Sequence, residues 1–190
     1  LQRLIAADPG IISLKFWQAA MPARIPGAVP GQEDPRIDMA RQMIAMLAQV
    51  SPGLLQSHPL QAEFPEEEFF LQMLTFRTPA MYLNHPAPGF AEWVATQSLM
   101  PTYRYMKQIL QYLQWQGGAG KENARGRRWL LKTPQHLENL GPLATTFPDA
   151  KFVQTHRDPV RITASLATMI AYGSRMQQRR PDPVEIGRRW

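Results

Sequence analysis

Two short stretches of this chain gather side chains that handle anions: Lys132-Thr133-Pro134-Gln135-His136, and His156-Arg157-Asp158-Pro159 followed by Ser165. Lys132 supplies a compact cation and His136 a ring that accepts a proton when neutral. A cation beside a neutral base suits transfer of an anionic group to a hydroxyl. Arg157 carries the planar fork that grips a phosphate with two parallel hydrogen bonds. Ser165, eight residues past it, adds a hydroxyl donor if a phosphate lies along the same helix.

The residues around these groups predict how they are positioned. Trp129-Leu130-Leu131 is a short continuous apolar run, as in a strand covered on both faces. Thr133 is a good helix cap and Pro134 suits the first helical position, so a helix is predicted over 135–147, starting at that strand's carboxyl end. His136 then falls in the first turn, where the positive end of the helix dipole disfavours imidazolium. The pattern repeats: residues 151–155 read as a second strand, Asp158 as a cap and Pro159 as the start of a helix reaching Tyr172-Gly173. Strand, helix, strand, helix with short connections implies parallel strands and right-handed crossovers. The expected class is α/β, a parallel sheet flanked by helices.

Upstream, residues 1–7 are helical in pattern and Asp8-Pro9-Gly10 ends that helix. Residues 11–35, rich in Pro and Gly, read as a long loop. A helix is predicted over 36–50, another opened by Pro65 with Glu66, Glu67 and Glu68 in its first turn, and further ones over 90–97 and 102–116. The last should bury Tyr105, Ile109, Tyr112 and Leu113. Residues 36–116 thus form a helical lobe within a single domain spanning 1–190. Trp17, Phe69, Phe70, Tyr82, Trp93, Tyr103 and Met106 could line an apolar crevice, but aromatics and Met at helical spacing equally well fill a core.

Bulk properties narrow the partners. The formal net charge of +6 suits an anionic ligand. Aromatics are not interleaved with the basic residues as in a nucleic-acid groove, so no nucleic-acid partner is expected. With no cysteine, disulfides and thiolate metal sites are excluded, and the 18 prolines point to loops with fixed bends. No apolar run approaches membrane-spanning length and no basic-then-apolar leader is visible, so no membrane span and a cytoplasmic location are expected.

The segments around Leu131-Lys132-Thr133-Pro134-Gln135-His136, Phe147-Pro148-Asp149-Ala150-Lys151-Phe152-Val153 and Thr155-His156-Arg157-Asp158-Pro159, with Ser165, resemble the bacterial sulfotransferases that use 3′-phosphoadenosine 5′-phosphosulfate. The resemblance extends to Met100-Pro101-Thr102-Tyr103-Arg104-Tyr105, to His58-Pro59 with the acidic cluster after Pro65, and to the first ten residues. It implies a fold related to that of P-loop nucleotide-binding proteins, with the 36–116 lobe as lid and acceptor surface. It implies that Arg157 and Ser165 hold the donor's 3′-phosphate, and that adenosine 3′,5′-bisphosphate leaves as a hydroxyl attacks the sulfuryl group. Lys132 then serves as the cation at the leaving or sulfuryl group, and His136 as base or orienting group. Glu66, Glu67 or Glu68 could be the base instead, although carboxylates in a first turn commonly complement the helix dipole. His58 reads as a loop residue, and no metal is implied. The acceptor is a small-molecule, lipid or carbohydrate hydroxyl.

The family's phosphosulfate loop, a Pro-x-Ser/Thr-Gly-Thr-Thr type of turn, belongs just before the helix at Leu1 and is absent from these 190 residues. The expectation is therefore a fragment holding half of the donor site. Two other readings remain: a non-catalytic helical interaction module on a degraded nucleotide-binding fold, and a P-loop kinase. The kinase would need a metal-binding Asp at a strand end, where this chain offers Lys132 and Thr155.

Overall fold

A computed structural model describes residues 1–27, 32–79, 81, 87–117, 126–176 and 179–188. Its centre is a two-stranded parallel sheet, β1 (Ile11–Ser13) beside β2 (Arg128–Leu130), in the register Ile11 to Arg128, Ile12 to Trp129 and Ser13 to Leu130. Helices surround it: α1 (Gln2–Ile5), α2 (Phe16–Ala20), α3 (Pro35–Val50), α4 (Pro52–Ser57), α5 (Phe69–Met73), α6 (Pro88–Ala95) and α7 (Met100–Gln116) before β2. After β2 come a 3₁₀ turn (Pro134–Glu138), α8 (Leu140–Thr146), α9 (Pro159–Ser174) and α10 (Pro183–Arg188). The α/β class with parallel strands holds.

The strand pairing differs from the expectation. β1 lies in the stretch read as loop, and it, rather than residues 151–155, pairs with β2. Residues 151–158 form no strand: all are exposed, with Val153 at 75%. Strand backbone groups need a neighbour to bond, and among the described residues none lies alongside this segment. The parallel geometry was legible; the partner was not.

α7 organises the core. Tyr103, Met106, Ile109, Leu110 and Leu113 point inward and pack with Leu14, Leu71 and Leu143, while Trp129, Leu131 and Phe147 close around them. Each such side chain contributes about 1.5–3 kcal/mol by leaving water. Ile109 and Leu113 are buried as expected, but Tyr105 and Tyr112 face outward, because the inner stripe runs through Tyr103 and Met106 instead.

A second apolar cluster joins α2 to α3 through Phe16, Ala40 and Ala62. Asp34 starts α3 by accepting from the Arg36 backbone N–H at 3.1 Å, and Pro35 takes the first helical position. Arg36 itself is buried, which a charge tolerates only when its donors are satisfied. Its guanidinium meets both Asp34 oxygens (2.9 and 2.7 Å), the carbonyls of Met21 and Pro22, and Gln116 Oε1. This pins the loop before α3 to the end of α7.

Near the carboxyl end α9 docks on α4. Asp158 caps α9 as expected, accepting from Val160 N at 2.9 Å. Ser51 Oγ donates to the Tyr172 carbonyl at 3.2 Å, and Gly53 lies so close to the Tyr172 ring that an added Cβ would sit 2.2 Å from Cε1. Among the described residues no helix is long and apolar enough to cross a membrane.

Candidate active site

Backbone pairing delivers three glutamates to the carboxyl end of the sheet. As the chain leaves β1, Phe16 N bonds Phe64 O (3.1 Å) and Trp17 N bonds Ala62 O (3.0 Å). Lys15 bridges Pro65 in antiparallel fashion, and Glu66 N donates to Leu14 O at 2.8 Å. Residues 62–66 are thereby laid against 14–17, and α5 begins only at Phe69. Glu66, Glu67 and Glu68 therefore precede the helix rather than occupying its first turn. Glu68 is the N-cap of α5, but its side chain makes no capping hydrogen bond.

All three are buried, and a buried carboxylate needs a partner. Each finds a basic side chain from a different element. Glu66 Oε1 lies 3.2 Å from His58 Nε2, at the end of α4. Glu67 Oε1 meets Lys132 Nζ, just past β2. Glu68 Oε1 lies 2.5 Å from His136 Nε2, in the 3₁₀ turn. That last approach is close but falls outside hydrogen-bond angles, and neither atom has another hydrogen-bond partner among the described residues. Glu68 Oε2 accepts from the Lys132 backbone N–H at 2.8 Å, fixing the exit of β2. Glu66 Oε1 also accepts from the Glu67 backbone N–H at 2.9 Å, so the row stiffens itself.

Behind His136 stands Tyr103, whose hydroxyl lies 2.9 Å from Nδ1. Burial, with the Glu68 charge added, holds the Tyr103 phenol far above its ordinary range, so it remains an O–H. When that O–H donates to Nδ1, the remaining ring proton sits on Nε2, facing Glu68. In that tautomer Nδ1 accepts and Nε2 carries the proton, so the ring has no free lone pair.

The environments of the other two pairs are distinct. The Glu66 hydrogen bond raises the His58 pKa above its ordinary value, against the opposing effect of burial. Burial raises the Glu67 carboxyl, with the Lys132 charge pulling the other way. Lys132 is about half exposed, so the Glu67–Lys132 pair is the open end of the row. Glu67 Oε2 makes no hydrogen bond to a described residue. Next to Lys132, Thr133 Oγ1 is buried without a hydrogen-bond partner among the described residues. Thr133 does not cap a helix with its side chain; a 3₁₀ turn follows it, broken at Asn139 before α8 begins. The helix expected over 135–147 is thus two elements, and His136 is positioned by Glu68 and Tyr103 rather than by a helix dipole.

The structure joins Lys132 and His136 through Glu67 and Glu68. It does not tie Arg157 or Ser165 to that row. Both are exposed, Arg157 before α9 and Ser165 within it. Asp158 is engaged with Val160 N, and Arg157 forms no ion pair among the described residues. Of the aromatics considered for a crevice, Tyr103 belongs to the site; Tyr82 lies outside the described residues. Sequence reasoning read His58 as a loop residue and Tyr103 only as a crevice or core aromatic. The available signal for His58 was its place a few residues before an acidic run; Tyr103 carried none beyond its helical spacing.

Comparison with known proteins bears on the family and the fold. No curated protein matches the chain in sequence. Among solved structures, sulfotransferase STF1 from Mycobacterium tuberculosis H37Rv superposes with a TM-score of 0.67 at 27% identity, over 91% of this chain and 46% of that one. Sulfotransferase STF9 from Mycobacterium avium gives 0.66 at 26% identity, over 95% and 45%. The chain therefore spans less than half the length of these two proteins. The Sulfotransferase family matches residues 1–190, the whole of the sequence. With cation, hydroxyl and carboxylates gathered at the carboxyl ends of parallel strands, and with that match end to end, the chain belongs to the sulfotransferase family.

Proposed function

We propose that the protein transfers a sulfuryl group from 3′-phosphoadenosine 5′-phosphosulfate to an acceptor hydroxyl, and that Glu67 and Lys132 are the reacting pair. The observation that carries this reading is the buried Glu67 carboxyl, raised in pKa, held against a half-exposed lysine at the end of β2. The donor supplies the sulfuryl group and a stable bisphosphate leaving group. Glu67 takes the proton of the acceptor hydroxyl as its oxygen bonds to sulfur and the bond to the 5′-phosphate oxygen breaks. Lys132 neutralises the charge that develops across that transfer, and positioning does most of the rest. Glu66 and Glu68 hold the row, and His136 and Tyr103 orient it.

The residues present fit an anionic donor. Among the described residues, Thr133 Oγ1 is a buried hydroxyl without a hydrogen-bond partner and Arg157 an exposed guanidinium without a carboxylate partner. In this reading Arg157 and Ser165 take the 3′-phosphate, and residues 36–116 form the lid and acceptor surface. The acceptor is a small-molecule, lipid or carbohydrate hydroxyl.

Calorimetric titration of the protein tests the donor assignment. Adenosine 3′,5′-bisphosphate should bind at least about tenfold more tightly than AMP, roughly 1.4 kcal/mol. Equal affinities would overturn it.

A further inference from the structure

His58 is paired within the glutamate row, yet the proposed transfer gives it no task. Its place is fixed from several sides. Its backbone N–H closes α4 on Leu54 O at 2.8 Å, and Ser57 Oγ donates to the same carbonyl at 2.9 Å. The other end of α4 is moored on α9 through Ser51. Arg3 of α1 reaches the carbonyl of Pro59 at 3.5 Å, so the residue after His58 is held as well.

The ring acts on a single oxygen. Glu66 Oε1 lies 3.2 Å from His58 Nε2 and also accepts from the Glu67 backbone N–H at 2.9 Å. The Glu66 backbone has little freedom of its own: its N–H bonds Leu14 O at 2.8 Å, and its carbonyl accepts from Gln2 Nε2 at 3.2 Å. The Glu66 side chain is therefore a strut, with His58 on one side and the Glu67 backbone on the other. Without a donor at the His58 position, a buried carboxylate loses the partner that holds it in that place.

Charge makes a second link. Burial raises the Glu67 carboxyl; Lys132 and, after it, His58 pull it back, while Glu66 pushes it up. The Glu66 hydrogen bond holds the His58 proton to higher pH than usual, against burial and the Lys132 charge. Below about pH 6.5, then, His58 is a cation facing the row. The other charged groups on this side are Glu66 itself, Lys132 past β2 and Arg3 on α1, and Glu68 faces His136. None of these is altered in the His58 variants below.

Resting on the reading of Glu67 as base, we infer that His58 is a positioning residue for it: through Glu66 Oε1 it fixes the Glu67 backbone, and as a cation it favours the carboxylate that takes the acceptor's proton.

Carbon-13 NMR titration of the Glu67 carboxyl, assigned by its disappearance in Glu67→Gln, tests this without requiring turnover. His58→Gln keeps a hydrogen-bond donor for Glu66 and removes the charge. The Glu67 midpoint should then rise by at least about 0.5 pH unit. His58→Lys restores the charge and should return the midpoint to within about 0.2 unit of wild type. In turnover, the acid limb of the pH–rate profile should move up with the midpoint in His58→Gln, while the donor KM stays within about twofold. A midpoint unmoved in His58→Gln, or raised equally in both variants, would overturn the inference. Full activity in Glu67→Gln would overturn the base role of Glu67 instead, so the two readings fail separately.

Discussion

Glu68 and His136 meet in the interior with Oε1 and Nε2 2.5 Å apart, and Glu68 is wholly buried. The contact ties the segment before α5 to the turn after β2, and the second oxygen of Glu68 holds the backbone of Lys132 between them. Replacing one partner of a buried pair strands the other. Glu68→Ala should therefore cost about 3–5 kcal/mol in urea unfolding. Glu68→Gln, which still accepts from the Lys132 backbone, should cost clearly less. Equal losses would mean that the charge, and not the backbone tether, dominates.

Glu67 is expected to act on rate rather than on folding. Glu67→Gln should lower kcat about 10²–10⁴-fold, the range for removing a general base, with little change in melting temperature. Because burial raises the Glu67 carboxyl, the acid limb of the pH–rate profile should lie above the ordinary glutamate value of 4.5, with rate falling as pH drops through the raised value. A profile flat down to that ordinary value would remove Glu67 from the base role.

His58 and Glu67 both bind a proton more tightly in the folded protein than in the unfolded chain. The sign follows from linkage: a raised folded value adds stability below the unfolded value and loses it as pH rises through the folded one. For His58 the window starts at about pH 6.5 and extends upward. The urea midpoint of the wild type should fall across that window, and His58→Gln should flatten the fall. An identical pH dependence in the variant would contradict the His58–Glu66 pairing.

Gly53 should resist substitution. An alanine Cβ would fall 2.2 Å from the Tyr172 ring, so Gly53→Ala must displace that ring from the α4–α9 contact. A loss of about 1–3 kcal/mol is expected, the scale of overpacking. Combining it with Tyr172→Ala should cost less than the sum of the two single changes, because the ring that clashes is gone. Additive losses would argue against that contact as the cause.

Local signals were legible where the chain settles matters within a few residues. Asp158-Pro159 begins a helix as capping chemistry requires. The long α7 was legible too, although the direction of its stripe was misjudged: Tyr105 and Tyr112 fit the helical period, and only packing against β2 and α8 decides that Tyr103 and Met106 turn inward. What local pattern could not give was partnership across the chain. β1 pairs with a strand more than a hundred residues away, and residues 151–155, which have the composition of a strand, have no neighbour to make them one. The site follows the same division. The motif singled out Lys132 and His136, whereas the glutamates that face them were weighed as a base against complements of a helix that begins only at Phe69. Their matching to His58, Lys132 and His136 depends on the Lys15–Pro65 bridge, which no periodicity announces.

The donor assignment is tested most directly by comparing how Arg157→Ala changes the affinity for adenosine 3′,5′-bisphosphate and for AMP, measured by calorimetry. If the exposed Arg157 guanidinium grips the 3′-phosphate, affinity for the bisphosphate should fall about tenfold or more while AMP binding stays within about twofold. An equal loss for both nucleotides, or no loss for either, would contradict the account.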